Sequence, residues 1–165
     1  MRRVILATLL SGLCATAGAQ EYATPSDHQS IETSIQDDLQ RCLSDSAHYE
    51  TDLSCAEAVL TACLRLSPHG ETTVGYSICG GVTSNVLDRE MNTAWARLKA
   101  NVSRSRFQDV LHAQRNWLAY RSDEMQAAAR RYPSGSMSAY SGWVRYNVLS
   151  AHRVARLYEI ARNGA

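Results

Sequence analysis

Residues 87–121 read LDREMNTAWARLKANVSRSRFQDVLHAQRNWLAYR, and this stretch decides the fold that the sequence predicts. The apolar side chains of its first half recur at helical spacing: Leu87, Met91, Ala94, Trp95, Leu98 and Val102. Such a stripe forms one face of an amphipathic helix. Thr83 or Ser84 is the predicted cap at its start. Residues 103–105 then predict a turn, and Ser105 with Gln108 forms the capping box of a following helix.

The following helix is predicted to run to about residue 131, where Pro133-Ser134-Gly135 ends it. Its predicted buried stripe contains Phe107, Val110, Leu111, Gln114, Leu118 and Met125, with Trp117 and Arg121 along the flank. A last helix is predicted over residues 137–162, with Asn163-Gly164 as its stop. Its predicted stripe contains Tyr140, Val144, Val148, Ala151, Ala155 and Tyr158.

Upstream of residue 82 the sequence predicts a helical hairpin after a polar arm over residues 20–29. The first helix starts near Ser30, and its apolar residues recur at four-residue steps: Ile31, Ile35, Leu39 and Leu43. The second helix covers about 52–66, and one face carries Cys55, Ala58, Val59, Ala62 and Cys63, with Leu66 close by. Residues 67–81 then predict a glycine-rich loop. With no alternating strand pattern, the fold class is all-α: a bundle of about five helices with a disulfide-stapled N-terminal helical hairpin.

Residues 1–19 have the pattern of a signal peptide. Arg2 and Arg3 precede an apolar run over residues 4–13, and Ala17-Gly18-Ala19 supplies a small-residue cleavage site. The apolar run is too short for a permanent membrane span. We therefore expect an exported, periplasmic or secreted protein that begins at Gln20.

The mature chain contains four cysteines, Cys42, Cys55, Cys63 and Cys79, and an even number in an exported protein predicts disulfides. Cys55 and Cys63 lie about 12 Å apart along one helix, which is too far for a bridge. The favoured pairs are Cys42–Cys55 and Cys63–Cys79, and the alternative is Cys42–Cys63 with Cys55–Cys79. No CxxC pair is present, so no metal site is predicted.

The charge of the mature chain is divided between its halves. Residues 20–85 contain two arginines and ten acidic residues, a net charge of −8. Residues 86–165 contain thirteen basic and six acidic residues, a net charge of +7. Either the halves neutralise each other on packing, or one of them presents a charged face to a partner of opposite charge.

The sequence shows no constellation of catalytic residues, and it predicts neither an enzyme nor a cofactor. His112 and His152 could meet across two helices, although helix packing is the favoured interpretation. The neighbours Asp37-Asp38 and Asp123-Glu124 diverge by about 100° on a helix and do not form paired-carboxylate sites. Export and the acidic first half argue against nucleic acid as a partner. Because Gln114, Trp117 and Arg121 share one helix face, they predict a buried hydrogen-bonded cluster, with a ligand site as the alternative.

Three segments carry the patterns Met91-Asn92-x-x-Trp95, Gln114-x-x-Trp117-x-x-x-Arg121 and Ser150-x-x-Arg153-x-x-x-Leu157. Together they resemble the LprI-like lysozyme-inhibitor family of bacterial envelope proteins. Met91, Asn92 and Trp95 occupy places in its LNxxYxxL pattern. The QxxWxxxR pattern is matched by Gln114, Trp117 and Arg121, and the TxxRxxxL pattern by Ser150, Arg153 and Leu157. Many family members carry two further cysteines, where this chain has Met125 and Arg145, so packing must replace that cross-link.

The resemblance, over about residues 86–158, implies a non-enzymatic periplasmic inhibitor of lysozyme-type muramidases. The implied organisation is a signal peptide (1–19), an acidic cysteine-containing hairpin and loop (20–81), and an LprI-like three-helix region (82–165) packed on it as one domain. The expected partner is a lysozyme-type enzyme or a cell-wall component. The alternative function is a structural or stress-related envelope protein that binds peptidoglycan or anionic lipid through its arginine-rich C-terminal helices.

Overall fold

The computed structural model of the protein describes residues 25–132 and 135–164. These residues form five helices: α1 (Pro25–Ser44), α2 (Tyr49–Leu66), α3 (Thr73–Asn101), α4 (Arg104–Ala129) and α5 (Ser136–Asn163). No strand occurs within those two ranges, so the all-α prediction is confirmed. The predicted signal peptide and Pro133-Ser134 lie outside the described residues. Within the described ranges, no helix combines the length and apolar character that crossing a bilayer requires.

The centre of the bundle is a pair of parallel helices, α3 and α5. Gly80 lies against Trp143 near one end of the pair, and Gly164 lies close to Asn101 near the other. Helix α4 packs on α5, helix α2 packs on both α3 and α5, and α1 covers α2 and α3. The fully buried side chains of the pair form the middle of the core: Val86, Leu87, Leu98, Val154 and Leu157.

Two disulfides cross-link the first three helices. Cys42–Cys55 joins α1 to α2 with a Cα–Cα distance of 5.8 Å, and Cys63–Cys79 joins α2 to α3 with a distance of 5.6 Å. This is the pairing that the sequence favours. The predicted buried stripe of α1, Ile31, Ile35, Leu39 and Leu43, is buried as well.

The predicted glycine-rich loop over residues 67–81 is wrong in its second half. Helix α3 begins at Thr73 and continues through Gly80 and Gly81. Its cap is Thr72, whose hydroxyl accepts a 3.1 Å hydrogen bond from the Gly75 amide, and not Thr83 or Ser84, which are buried inside the helix. Two adjacent glycines disfavour a helix by about 1 kcal/mol each, but packing against α2 and α5 outweighs that preference.

Several other boundaries and faces also differ from the predictions. Helices α1 and α2 begin earlier, at Pro25 and Tyr49. Ser103, rather than Ser105, caps α4 by accepting a 3.3 Å hydrogen bond from the Arg106 amide. Four residues assigned to apolar stripes are exposed: Ala58, Leu66, Leu118 and Val148. The buried face of α4 is centred on polar residues that have partners on α3 and α5, which turns Leu118 outward.

Gly80 and Gly81 provide a matched test of this packing. A Cβ on Gly80 would lie 3.0 Å from both Cβ and Cγ of Trp143, whereas a Cβ on Gly81 would have no atom within 4 Å. We expect Gly80→Ala to lower the free energy of unfolding by about 1–2 kcal/mol through overpacking. Gly81→Ala should raise it by up to about 1 kcal/mol through helix propensity. Urea unfolding measures both values, and shifts in the same direction would contradict the close approach of α3 and α5.

Candidate functional site

The arginine of the QxxWxxxR segment lies at the junction of α3, α4 and α5. Arg121 is buried, and it donates hydrogen bonds to the carboxylate of Asp88 at 2.6 Å and to the hydroxyl of Ser150 at 2.9 Å. Its guanidinium also lies 4.0 Å from the ring centroid of Tyr146 and 4.7 Å from that of Trp117. One side chain therefore joins three helices by charge, hydrogen bonds and cation–π contacts.

Tyr146 completes this junction from α5. Its hydroxyl donates a 2.7 Å hydrogen bond to the second carboxylate oxygen of Asp88. Burial, followed by this hydrogen bond, raises the pKa of Tyr146 to about 12. The hydroxyl therefore stays protonated at neutral pH and keeps its role as a donor.

Gln114, two turns before Arg121 on α4, extends the network. Its amide nitrogen donates to the sulfur of Met91 at 3.2 Å, and its amide oxygen accepts a 2.6 Å hydrogen bond from Arg153. Arg153 also lies 5.6 Å from the ring centroid of Trp117. Burial, followed by the charge of Arg156, lowers the pKa of Arg153.

Six of the motif residues are thus connected: Met91, Gln114, Trp117, Arg121, Ser150 and Arg153. We call this set, with Asp88 and Tyr146, the motif cluster. The other three motif residues lie apart from it. Trp95 packs on Phe107 at 5.2 Å between ring centroids, Leu157 is in the core, and Asn92 is exposed. Since the contacts of the motif cluster join helices of the bundle, they favour the structural interpretation over a ligand site.

A second buried polar group was not predicted. Glu90 on α3 is fully buried and accepts hydrogen bonds from the hydroxyl of Tyr158 on α5 and, at 2.9 Å, from Gln36 on α1. Burial, followed by the hydrogen bond to Glu90, raises the pKa of Tyr158. The sequence contained a pattern that could have predicted the burial of Glu90. Val86, Glu90 and Ala94 are four residues apart and therefore share the buried face of α3.

Ion pairs between the two halves neutralise only part of the acidic charge. Glu32 pairs with Arg89, and the fully buried Asp52 pairs with Arg162. Six other carboxylates of the hairpin and its following loop are exposed. Asp38 pairs with Arg41 and Glu71 lies beyond α2, and the remaining four are Asp37, Asp45, Glu50 and Glu57. We call these four the acidic hairpin surface. Within the described part of the chain, its only contact with a basic group is the one between Glu57 and His152, at 4.0 Å.

Five of the ten arginines from Arg104 to Arg162 are engaged inside the protein, among them Arg162, which pairs with Asp52. Arg121 and Arg153 belong to the motif cluster, and Arg156 pairs with Glu159. Arg145 pairs with Glu124, whose hydrogen bond raises the pKa of Arg145. This pair joins α4 to α5 near the place where many family members have a cross-link. Among the described residues, Arg115, Arg130 and Arg131 are exposed and form no ion pair.

His152 and His112 are the two histidines that could meet across two helices. His152 accepts or donates a 3.0 Å hydrogen bond with Tyr49, and no hydrogen bond joins it to His112 in the described ranges. Burial, followed by the charge of Glu159, raises the pKa of Tyr49. No group of three or more histidine, cysteine, aspartate or glutamate side chains with the arrangement of a metal site occurs in residues 25–132 and 135–164.

Comparison with known proteins adds one finding. The family model for lysozyme inhibitor LprI matches residues 63–160, from Cys63 at the end of α2 to the last turn of α5. Comparison with curated proteins and with solved structures finds no match. The matched region includes the whole motif cluster and more than half of the chain, and the protein therefore belongs to the LprI lysozyme-inhibitor family.

Proposed function

We propose that the protein is an exported, non-enzymatic inhibitor of a lysozyme-type muramidase. Its membership in the LprI family carries this proposal. Export is supported by the signal-peptide pattern of residues 1–19 and by the two disulfides, because such bonds form and persist in oxidising compartments. Within this proposal, residues 20–81 and 82–165 fold as one domain after removal of the signal peptide.

The acidic hairpin surface is the proposed contact with the enzyme. Its four exposed carboxylates, Asp37, Asp45, Glu50 and Glu57, complement a strongly basic lysozyme, and such complementarity raises the association rate. Next to it, α1 and α2 enclose an apolar groove of ≈190 Å³ between the Cys42–Cys55 bridge and Ala62, with Asp38 in its wall. The groove offers room for an apolar side chain of the partner beside the charged contacts.

This surface lies outside the region that the family model matches. Most of the hairpin, residues 25–62, precedes the region that the family model matches. Inhibition and the contact surface are therefore separate proposals, and they need separate tests.

The contact surface is tested by a matched pair of double variants. Asp37→Asn with Glu50→Gln removes two charges from the hairpin, whereas Asp109→Asn with Asp123→Asn removes two exposed charges from α4. At low salt, we expect the hairpin variant to need about tenfold more protein for half-maximal inhibition of lysozyme, from the loss of two exposed ion pairs and of steering. The amount of the α4 variant needed for half-maximal inhibition should stay within about twofold of the wild-type amount. Turbidity of a cell-wall suspension measures the inhibition.

The outcomes separate the two proposals. No inhibition by wild-type protein in excess at low salt contradicts the inhibitor function. Equal inhibition by the wild type and the hairpin variant contradicts the contact surface alone, and it would direct attention to residues 63–160. Inhibition should also decrease as salt rises, because exposed charges are screened.

The peptidoglycan part of the alternative function is weaker on structural grounds than lysozyme inhibition. It required a basic face on the last two helices, but five of their ten arginines are engaged internally: Arg121, Arg145, Arg153, Arg156 and Arg162. Binding of peptidoglycan through these helices would depend on the exposed arginines Arg104, Arg106, Arg115, Arg130 and Arg131. Sedimentation with cell-wall sacculi tests it: binding that survives Asp37→Asn with Glu50→Gln but not Arg130→Gln with Arg131→Gln would support the alternative.

A further inference from the structure

A cleft lies between α4 and α5. It has a volume of ≈600 Å³ and is formed by the end of α4 and the first half of α5, from Glu124 to Tyr132 and from Met137 to Val148. We call it the α4–α5 cleft. Its size falls in the range of small-molecule sites, roughly 300–1,000 Å³. The proposed contact with lysozyme does not use it.

The rim of the α4–α5 cleft is unusually apolar for a surface. Tyr132, Met137 and Val148 are 44%, 46% and 39% exposed, and all three line the cleft. Tyr120, 48% exposed, is joined to the cleft by a 3.3 Å hydrogen bond from Arg145. Single exposed apolar residues are ordinary, but several around one concavity indicate a binding surface.

The charge of the α4–α5 cleft is positive. Glu124 is the carboxylate in its wall, and the ion pair with Arg145 neutralises it. Arg131 also lines the cleft, and Arg130 precedes it at the end of α4. Both arginines are exposed, and neither forms an ion pair within the described residues. A ligand for this place should therefore combine an apolar part with an anionic group.

We propose that the α4–α5 cleft docks the protein on a membrane surface through an anionic phospholipid, which gives the lipid part of the alternative function a specific site. Arg130 and Arg131 would pair with the phosphate of the headgroup, since basic side chains near an anionic leaflet are attracted to it. Tyr132 and Met137 would contact the glycerol and upper acyl region, where amphipathic aromatic side chains are favoured.

The α4–α5 cleft is distant from the start of α2, where Glu50 lies, whereas Glu57 contacts His152, about one helical turn from Val148 of the cleft. The Asp52–Arg162 pair places the start of α2 beside the end of α5, whereas the cleft lies around Ser141. At 1.5 Å per residue, residues 141 and 162 are roughly 30 Å apart along α5. A docked molecule would keep Asp45 and Glu50, at the far end of the hairpin, free for the lysozyme partner. The membrane proposal therefore stands or fails independently of lysozyme inhibition.

Vesicle flotation tests the proposal with the whole mature protein. Vesicles of phosphatidylcholine alone are compared with vesicles of phosphatidylcholine and phosphatidylglycerol. We expect binding to the anionic vesicles only, and Arg130→Gln with Arg131→Gln should weaken it about 25-fold, or about fivefold for each arginine. Met137→Ser with Val148→Ser should also weaken binding while the charge is unchanged. The matched control is Arg104→Gln with Arg106→Gln, at the opposite end of α4. Its binding to the anionic vesicles should weaken by less than about twofold.

Two results would overturn the proposal. One is the absence of binding to anionic vesicles at low salt, which would make an acidic protein segment the candidate occupant of the cleft. The other is an equal loss of binding in the Arg104/Arg106 control. It would show that the vesicles attract the positive charge of the protein as a whole rather than dock at the cleft. Circular dichroism of each variant confirms that the substitutions, all at exposed residues, leave the fold intact.

Discussion

Replacing Arg121 with alanine is expected to lower the free energy of unfolding by about 3 kcal/mol, because it removes the centre of the motif cluster. The substitution leaves Asp88 and Ser150 without their donor, and Trp117 and Tyr146 without the guanidinium between them. The side chain of Asp88 is 43% exposed and can be rehydrated, so the loss should lie at the low end for a broken buried pair. Chemical denaturation followed by circular dichroism measures the change.

Arg121→Lys is the matched control for this prediction. It keeps the positive charge but cannot reproduce the planar contacts with the two rings, so we expect a loss of about 1–2 kcal/mol. The pair of variants also tests the ligand-site alternative for Gln114, Trp117 and Arg121. An alanine variant with wild-type stability but without inhibition of lysozyme would show that the motif cluster is a binding site.

Removing the disulfide between α2 and α3 should have an effect of similar size. We expect Cys63→Ala with Cys79→Ala to lower the free energy of unfolding by about 3–4 kcal/mol. Opening a cross-link with a sequence separation of 16 accounts for about 3 kcal/mol of this in the chain-entropy model. The remainder comes from the space left in the core, because both cysteines are fully buried.

Cys42→Ala with Cys55→Ala is the control for the second prediction. Its sequence separation of 13 gives nearly the same entropic term, but Cys42 is exposed, so little core packing is lost. We expect a smaller loss in the free energy of unfolding, about 2–3 kcal/mol. Thermal and urea unfolding of both double variants measure the two losses. A larger effect in this control than in the α2–α3 variant would contradict the central role of the buried bridge.

The periodicity of apolar residues predicted most of the architecture. It located α1 by Ile31, Ile35, Leu39 and Leu43, and the core face of α3 by Leu87 and Leu98, because a buried stripe must repeat with the period of the helix. The same periodicity excluded a Cys55–Cys63 bridge, since both cysteines lie on one helix, and left two pairings open; the structure contains the favoured one.

Faces and ends that depend on polar contacts were predicted less well. Leu118 and Val148 are exposed because α4 and α5 turn the motif cluster and the Ser84–Asn147 hydrogen bond toward the core. The start of α3 was missed because glycines normally end helices, whereas Gly80 permits the close contact with Trp143. Intrinsic preference is a local property, and packing between distant segments overrides it.

For the candidate site, the sequence by itself determined the chemical inventory: an acidic hairpin, four cysteines, the family motifs, and basic last helices. Only the tertiary structure decided which of these charges remain available to a partner. Asp52 and most arginines of α5 are engaged in contacts within the protein and are not available to a partner. Asp37, Glu50, Arg130 and Arg131 stay exposed. The physical reason is that a charge acts on a partner only if no nearer charge neutralises it, and the nearest charge is set by contacts between helices that lie far apart in the chain.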